Sequence, residues 1–469
     1  MTRKEEFEQA KIDLEQNQAQ GWNTIISLAN ADYEAAMEFV ALAYYRGDFT
    51  EMDEALAYQW FQKIVRLNPS NSYIWSKIAD CHFYGYGVPK NQEESIKYYQ
   101  KAWDSGMADA GTDIGWIYSF GDIPSNNDLI AAKWFQRAAD KGSSQGMYFM
   151  GYFYSEGYGG LPVSEKMAAK YLRQAVALDN FSAIRYLLCK KCYGDNAEFL
   201  NLRKKLFEMA ESGDDRAQNA LGFAYLFGND WEPAFGLDKN PEESQHWFEL
   251  SAQQGNVDSI YELGKNLLDY DSGFKTDVEK GEHYLLLAAE KGKADACYEL
   301  YRFYKWTKHD PEKSLIWAER AVENGNDFLV RDIAEAYYNG EGTEENYEKA
   351  IFYYRRCIKD DPEDINSNLS YLPLAKCYLL SNNPTDRDYK DAYVYLKLAL
   401  DAANEKSYCE HQKGEIEYWI AYMLDKGLGV QCNLEEAYRH YSKSAELGFK
   451  DSQEETKRFK KSIFGWKKV

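Results

Sequence analysis

Few residues in this sequence are of types that do chemistry, and their spacing argues against a reaction centre. Cys189-Lys-Lys-Cys192 is a C-x-x-C pair. Thiols at that spacing carry disulfide exchange beside a strand in a βαβ unit, or supply half of a zinc site when a second pair completes it. Here the pair falls inside a predicted helix, and no second C-x-x-C or H-x-x-x-H exists. Structural cysteines are the simpler reading, with a redox or metal role as the alternative. Six histidines, His82, His246, His283, His309, His411 and His440, are spread along the chain. His82 and His440 stand where other parts of the sequence carry aromatic rings, which predicts packing rather than proton transfer. Asp269-Tyr-Asp271-Ser-Gly273 hints at a calcium loop, but its glycine comes one place early and Lys280 replaces the bidentate glutamate such a loop needs. No phosphate-cradling G-x-x-x-x-G-K-[ST], no H-E-x-x-H and no G-x-S-x-G is present. The expectation is a non-enzymatic protein with no metal, no cofactor and no small-molecule substrate.

Charge narrows the partners. The net charge is −21 over 469 residues. Such a surface repels nucleic-acid phosphate and anionic lipid, so a protein or peptide is the expected partner, with a basic one favoured. The exception is Lys457 to Val469, with six Lys or Arg and no Asp or Glu, interleaved with Phe459, Ile463, Phe464 and Trp466. It reads as a cap folding back on the acidic body, or as a contact for a membrane surface or acidic partner. The N-terminal MTRKEEFEQAKIDLEQ lacks the apolar core of a signal peptide, and no run is long and apolar enough for a membrane span. With eight irregularly spaced cysteines, a cytoplasmic protein with reduced thiols is expected.

The elements that carry these residues repeat. Trp134-Phe135 precedes Ala138-Ala139, Trp247-Phe248 precedes Ser251-Ala252, and Tyr353-Tyr354 precedes Cys357. Three residues before each such aromatic stands a small residue, as at Ala57, Ser95, Ala131, Ser244, Ala350 and Ala437. Offsets of three and four share one helix face, so a large ring sits beside shallow holes that let a neighbouring helix approach. Trp134 and Trp247 are the expected stacking residues. Upstream of each such helix runs another, with a small residue and an aromatic three later: Gly115 with Tyr118, Gly151 with Tyr154, Gly222 with Tyr225. It closes on glycine turns such as Gly85-Tyr-Gly87 and Gly340-Glu-Gly342. The period is near 36 residues and predicts eleven helix pairs. The fifth is degenerate, with Lys191 in the aromatic position, and the sixth carries a long loop with Trp231 and Phe235.

The pattern L-G-x-x-Y-x-x-G-x-G-V, then A-x-x-W-[FY]-x-x-A-A, then G, resembles the Sel-one-like repeat, a relative of the tetratricopeptide repeat. The resemblance covers about nine-tenths of the chain. It implies an all-α, right-handed α-solenoid superhelix of about eleven helix-turn-helix repeats. The expected division is an N-terminal helical cap over 1–33, the array over 34–448, and a capping helix with the basic-aromatic tail over 449–469, the helix running across 451–465.

In proteins similar to this one, the first helix of each pair faces a concave wall. Carrying that register across places Tyr45, Trp116, Phe120, Tyr152, Glu156, Phe223, Phe227, Arg302, Trp306, Glu335 and Tyr422 on the wall. Aromatic residues and Arg are the usual energetic anchors of interfaces. The function implied is a scaffold or adaptor gripping a partner protein or peptide in that groove. The alternative is an immunity-type inhibitor that neutralises a cognate basic toxin or enzyme.

Overall fold

The computed structural model describes residues 2–16, 18–124, 127–190, 196–228, 235–358, 364–462 and 465–468. The chain is an all-α repeat solenoid. Two helices lead in, α1 (Arg3–Gln16) and α2 (Gln18–Asn30). Among the described residues eleven pairs follow: α3/α4 (Glu34–Arg46, Glu54–Leu67), α5/α6 (Ser72–Tyr84, Gln92–Asp104), α7/α8 (Ala108–Phe120, Asp128–Asp140), α9/α10 (Ser144–Glu156, Glu165–Ala177), α11/α12 (Phe181–Lys190, Asn196–Glu211), α13/α14 (Asp215–Phe227, Pro241–Gln253), α15/α16 (Val257–Leu268, Val278–Glu290), α17/α18 (Ala294–Arg302, Pro311–Glu323), α19/α20 (Val330–Asn339, Tyr347–Cys357), α21/α22 (Ile365–Leu380, Asp386–Glu405) and α23/α24 (Lys413–Lys426, Leu434–Glu446). The chain divides into an N-terminal unit, residues 1–217 with 227–239, and a C-terminal unit, residues 218–226 with 240–469.

In the pairs with glycine at the repeat position, Gly115, Gly151, Gly222 and Gly264 of the first helix each receive a bulky residue of the second. A Cβ added at Gly115 would meet the Phe135 ring at 2.7 Å, and one at Gly222 would meet Phe248 at 2.6 Å. Phe61, Phe135, Leu172, Phe248, Leu285 and Leu396 are fully buried. This corrects the choice of Trp134 as the packing knob. The four-residue offset brings Phe135 closer to the face of Ala131 than the three-residue offset brings Trp134. Trp134 stays half-buried, edge-on to Trp103 with Arg137 over its face. Trp247 is itself buried.

Two backbone devices recur. In most pairs the N–H of the residue capping the second helix donates to a carbonyl near the end of the first: Asn91 to His82 and Asn127 to Tyr118 at 2.7 Å, Asn240 to Tyr225 and Asn346 to Tyr337 at 2.8 Å. The same Asn side chains accept from the first turn, satisfying donors that a helix start leaves open. The second glycine of the G-x-G turn then seats on the preceding repeat. A Cβ at Gly87 would lie 2.3 Å from the Glu54 carbonyl oxygen at the start of α4, and one at Gly342 would lie 2.3 Å from that of Pro311 at the start of α18. Both glycines hold positive φ, 67° and 77°. Only a residue without a Cβ fits this close approach without strain.

The α17/α18 pair departs from this scheme. Its turn has no glycine, α17 ends in a π-helical turn over Phe303–Lys308, and His309 takes the left-handed conformation at φ 53°. The C-terminal end departs as well. The helix expected over 451–465 stops early: α25 covers Lys450–Thr456, and β1 (Phe459–Ser462) pairs antiparallel with β2 (Gly465–Lys468). A continued helix would set Lys457, Lys460 and Lys461 at repulsive three- and four-residue spacings. The hairpin instead stacks Trp466 on Tyr438 at 4.3 Å, buries Phe459 against Tyr438 and Tyr441, and pairs Lys468 with the buried Asp425. Lys191, Cys192, Trp231, Ile463 and Phe464 lie outside the described residues.

Candidate functional site

On α7 the sequence places Thr112, Asp113, Trp116, Ile117 and Phe120 at offsets of one, four, five and eight, which is one helix face. That face meets the end of α5 and the start of α9. Phe83, Tyr84, Tyr99, Thr112, Asp113, Trp116, Ile117, Gln145 and Phe149 enclose a cavity of about 280 Å³. Phe83 stands edge-on to Trp116 at 5.7 Å, Trp116 meets Phe120 at 5.8 Å, and Phe120 meets Phe149 at 6.2 Å. Ring contacts continue on both sides. Tyr84 stacks on Tyr86, which touches Tyr45, and Phe149 leads through Tyr148 and Tyr186 to Tyr152 and Tyr158. An unbroken run of rings therefore joins the first helices from α3 to α11.

Three carboxylates lie behind these rings. Asp80 accepts from the Tyr99 hydroxyl at 2.6 Å and from the Lys77 ammonium at 2.7 Å. Asp109 accepts from Ser143 at 2.6 Å. Asp113 makes no hydrogen bond or ion pair among the described residues. Burial, then the charges of Asp80 and Asp109, push its carboxyl up to about 7, while Lys77 draws it down. Burial, with Asp80 and Asp113 nearby, holds the Tyr99 phenol well above its ordinary range.

None of the eleven wall positions read from the sequence is buried. Trp116, Phe120, Glu156, Phe227, Arg302, Trp306 and Glu335 are exposed, and Tyr45, Tyr152, Phe223 and Tyr422 are partly so. The structure joins Tyr45, Trp116, Phe120 and Tyr152 in the run of rings. Glu156 stands at its margin, paired with Lys190 at 3.2 Å. Phe227 belongs to the N-terminal unit and Phe223 to the other, where it packs edge-on to Phe248 at 5.1 Å. In the C-terminal unit Arg302 pairs with Glu299 at 3.2 Å and lies about 6 Å from the Tyr298 and Trp306 rings. Lys305 sits over the Tyr301 and Trp306 rings and pairs with Asp332 at 3.0 Å. Glu335 pairs with Arg331 at 3.3 Å, and Tyr422 meets Trp419 at 5.7 Å.

Asp113, Phe83, Tyr84 and Phe149 were missed by sequence reasoning. One signal was available: Asp113 lies three residues before Trp116, one turn away on the same stripe. Two of the histidines and three of the cysteines have structural surroundings. His82 stacks on Tyr98 at 4.9 Å and bonds to the Tyr58 hydroxyl at 3.0 Å. His440 pairs with Glu417, which is 2% exposed. Burial pushes the Cys81 and Cys377 thiols up to about 12 and Cys357 to about 11, away from the thiolate a nucleophile needs. Among the described residues no group of three or more His, Cys, Asp or Glu could hold a metal ion, and no helix is long and apolar enough to cross a membrane.

Comparison with curated proteins finds no match. Among known structures, a protective antigen of uropathogenic Escherichia coli with an SLR fold is 20% identical, with 93% of this chain and 89% of that one covered and a TM-score of 0.38. A Sel1 repeat protein from Oxalobacter formigenes is 22% identical, covering 61% and 99%, TM-score 0.34. An immunity protein from Pseudomonas aeruginosa is 20% identical, covering 53% and 80%, TM-score 0.29. The family model for the Sel1 repeat matches ten segments: 34–69, 76–107, 108–143, 144–180, 215–256, 257–293, 303–326, 331–357, 371–404 and 416–449. The unmatched stretch between 180 and 215 holds α11 and α12, the pair read as degenerate. With well over half of its length matched, the chain belongs to the Sel1 repeat family.

Proposed function

We propose that this protein is a non-catalytic interaction scaffold whose first-helix wall seats a segment of a partner protein. The observation that carries the reading is the ring run of the N-terminal unit, in which Trp116 is 38% and Phe120 44% exposed. Large rings left open side by side cost solvation that a packed position would avoid, and such patches mark interaction surfaces. The test is Trp116→Ala with Phe120→Ala. Both side chains are partly solvated, so the double variant keeps its fold by circular dichroism. It loses at least about tenfold in affinity for whatever partner the wild type captures. Wild-type affinity in the folded variant removes the wall from the reading.

The charge of −21 favours a second reading within the same class, an immunity-type inhibitor of a basic toxin or enzyme. Association then falls steeply with ionic strength. Salt-insensitive association counts against it.

A further inference from the structure

We propose that the cavity between α5, α7 and α9 receives a lysine or arginine side chain of the partner, held by the Phe83, Tyr84, Trp116 and Phe149 rings and by the Asp113 carboxylate. The inference rests on the wall reading and adds the chemistry of the occupant.

Three observations point to a cation. The rings are bare: among the described residues no Lys or Arg lies over Phe83, Tyr84, Trp116, Phe120 or Phe149. Elsewhere the protein does cover its rings this way, with Lys141 over Trp103 at 3.6 Å and Arg137 over Trp134 at 4.0 Å. Next, the carboxylates behind the cavity are unequally engaged. Asp80 and Asp109 accept hydrogen bonds from their neighbours, and Asp113 is the one left to an incoming donor. Finally, the other occupants fit badly. An apolar side chain would strip water from Asp113 and return no partner, and an anion would meet the Asp113 carboxylate with the charges of Asp80 and Asp109 behind it. An ammonium or guanidinium meets ring faces and a carboxylate together.

The groups facing Asp113 give the site a pH dependence. They are Asp80, Lys77 and Tyr84 from the α5 side, Tyr99 from α6, Asp109 on its own helix and Gln145 from α9. A bound cation reverses the effect of Asp80 and Asp109 and draws the Asp113 carboxyl down from about 7. Binding then expels a proton, so affinity rises with pH up to about 7 and levels off above it.

The experiment is calorimetric titration of the full chain with Gly-Ser decapeptides that differ only in a central Lys, Arg, Leu or Glu. Lys and Arg peptides bind at least about tenfold tighter than the Leu peptide, and the Glu peptide binds weakest. Asp113→Asn, nearly isosteric and relieved of a half-buried charge, brings the Lys peptide down to the level of the Leu peptide. Asp113→Leu reverses the order. Equal binding of Lys and Leu peptides, a Lys preference that survives Asp113→Asn, or no binding at millimolar peptide overturns the inference. The two readings separate through a captured partner. If its affinity falls in Trp116→Ala/Phe120→Ala and is unchanged in Asp113→Asn, the wall stands and the cation site falls. If both variants hold it as the wild type does, both readings fall.

Discussion

On the first-helix face of the N-terminal unit, Phe83, Tyr84, Trp116 and Phe149 line a cavity with the Asp113 carboxylate, Phe120 adjoins them, and among the described residues no cation lies over these rings. On the corresponding face of the C-terminal unit, Arg302 and Lys305 already lie beside Tyr298, Tyr301 and Trp306, and Glu299 and Asp332 already hold those cations. The first face has carboxylate and ring surface unspent, and the second has satisfied itself internally. The same helical frame thus supports two surfaces, and the difference lies in a few side chains that point away from the core. Aromatic content alone does not identify a binding face; what matters is whether the protein has supplied the rings with its own partners.

Whether the faces share one frame is tested by the largest expected effect. Phe135→Ala in the N-terminal unit and Phe248→Ala in the C-terminal unit each empty a fully buried site facing glycine, and each should cost about 3–5 kcal/mol by urea denaturation. A loss under about 1 kcal/mol at either site would mean that the two frames differ. Next come the inter-repeat seats. Gly87→Ala and Gly342→Ala should each cost about 2 kcal/mol in the same measurement, since both combine positive φ with a backbone clash.

The contrast itself is sharpened by pH. Asp113 has a folded pKa near 7 against an ordinary value of 3.8. The folded chain therefore binds this proton more tightly than the unfolded one. The associated stability is greatest below about pH 4 and is lost as pH rises to about 7. Because Asp113 is partly solvated, Asp113→Asn should raise stability by only about 1–2 kcal/mol at pH 8, and by less at pH 5. A pH-independent gain would contradict the raised pKa. The smallest effect separates the faces directly. Trp116→Ala and Trp306→Ala should each change stability by under about 1 kcal/mol, because both rings are substantially exposed. Only Trp116→Ala should weaken the Lys decapeptide, and equal weakening by both would erase the distinction.

The helix pairs were legible because their period is written in covalent spacing: small residues, rings and glycines return at fixed intervals. The exposure of the wall positions followed from the same register. The choice between Trp134 and Phe135 was less legible, since offsets of three and four look alike until the neighbouring helix is in place. The Asn caps at Asn91, Asn127, Asn240, Asn346 and Asn433 were visible in the sequence and went unread. Features built from several helices were hidden. The cavity needs α5, α7 and α9 together. The cations over Tyr301 and Trp306 depend on acids at Glu299 and Asp332. The hairpin depends on Asp425, over forty residues upstream of Lys468.

The glycine seats have a mechanical meaning. Where Gly87, Gly159, Gly342 and Gly429 rest against the start of the preceding second helix, the joint is made partly of backbone and has no long side chain to give way. Such joints behave as stiff couplings. The α7/α8 turn, whose Gly121 holds φ −74° and meets its own helix, the α17/α18 turn, entered through a π-helical turn and His309, and the α21/α22 turn, which starts at Ser381, have no such glycine seat. Under tension, the chain's compliance concentrates at those couplings, and in a pulling experiment they yield before the glycine-seated ones.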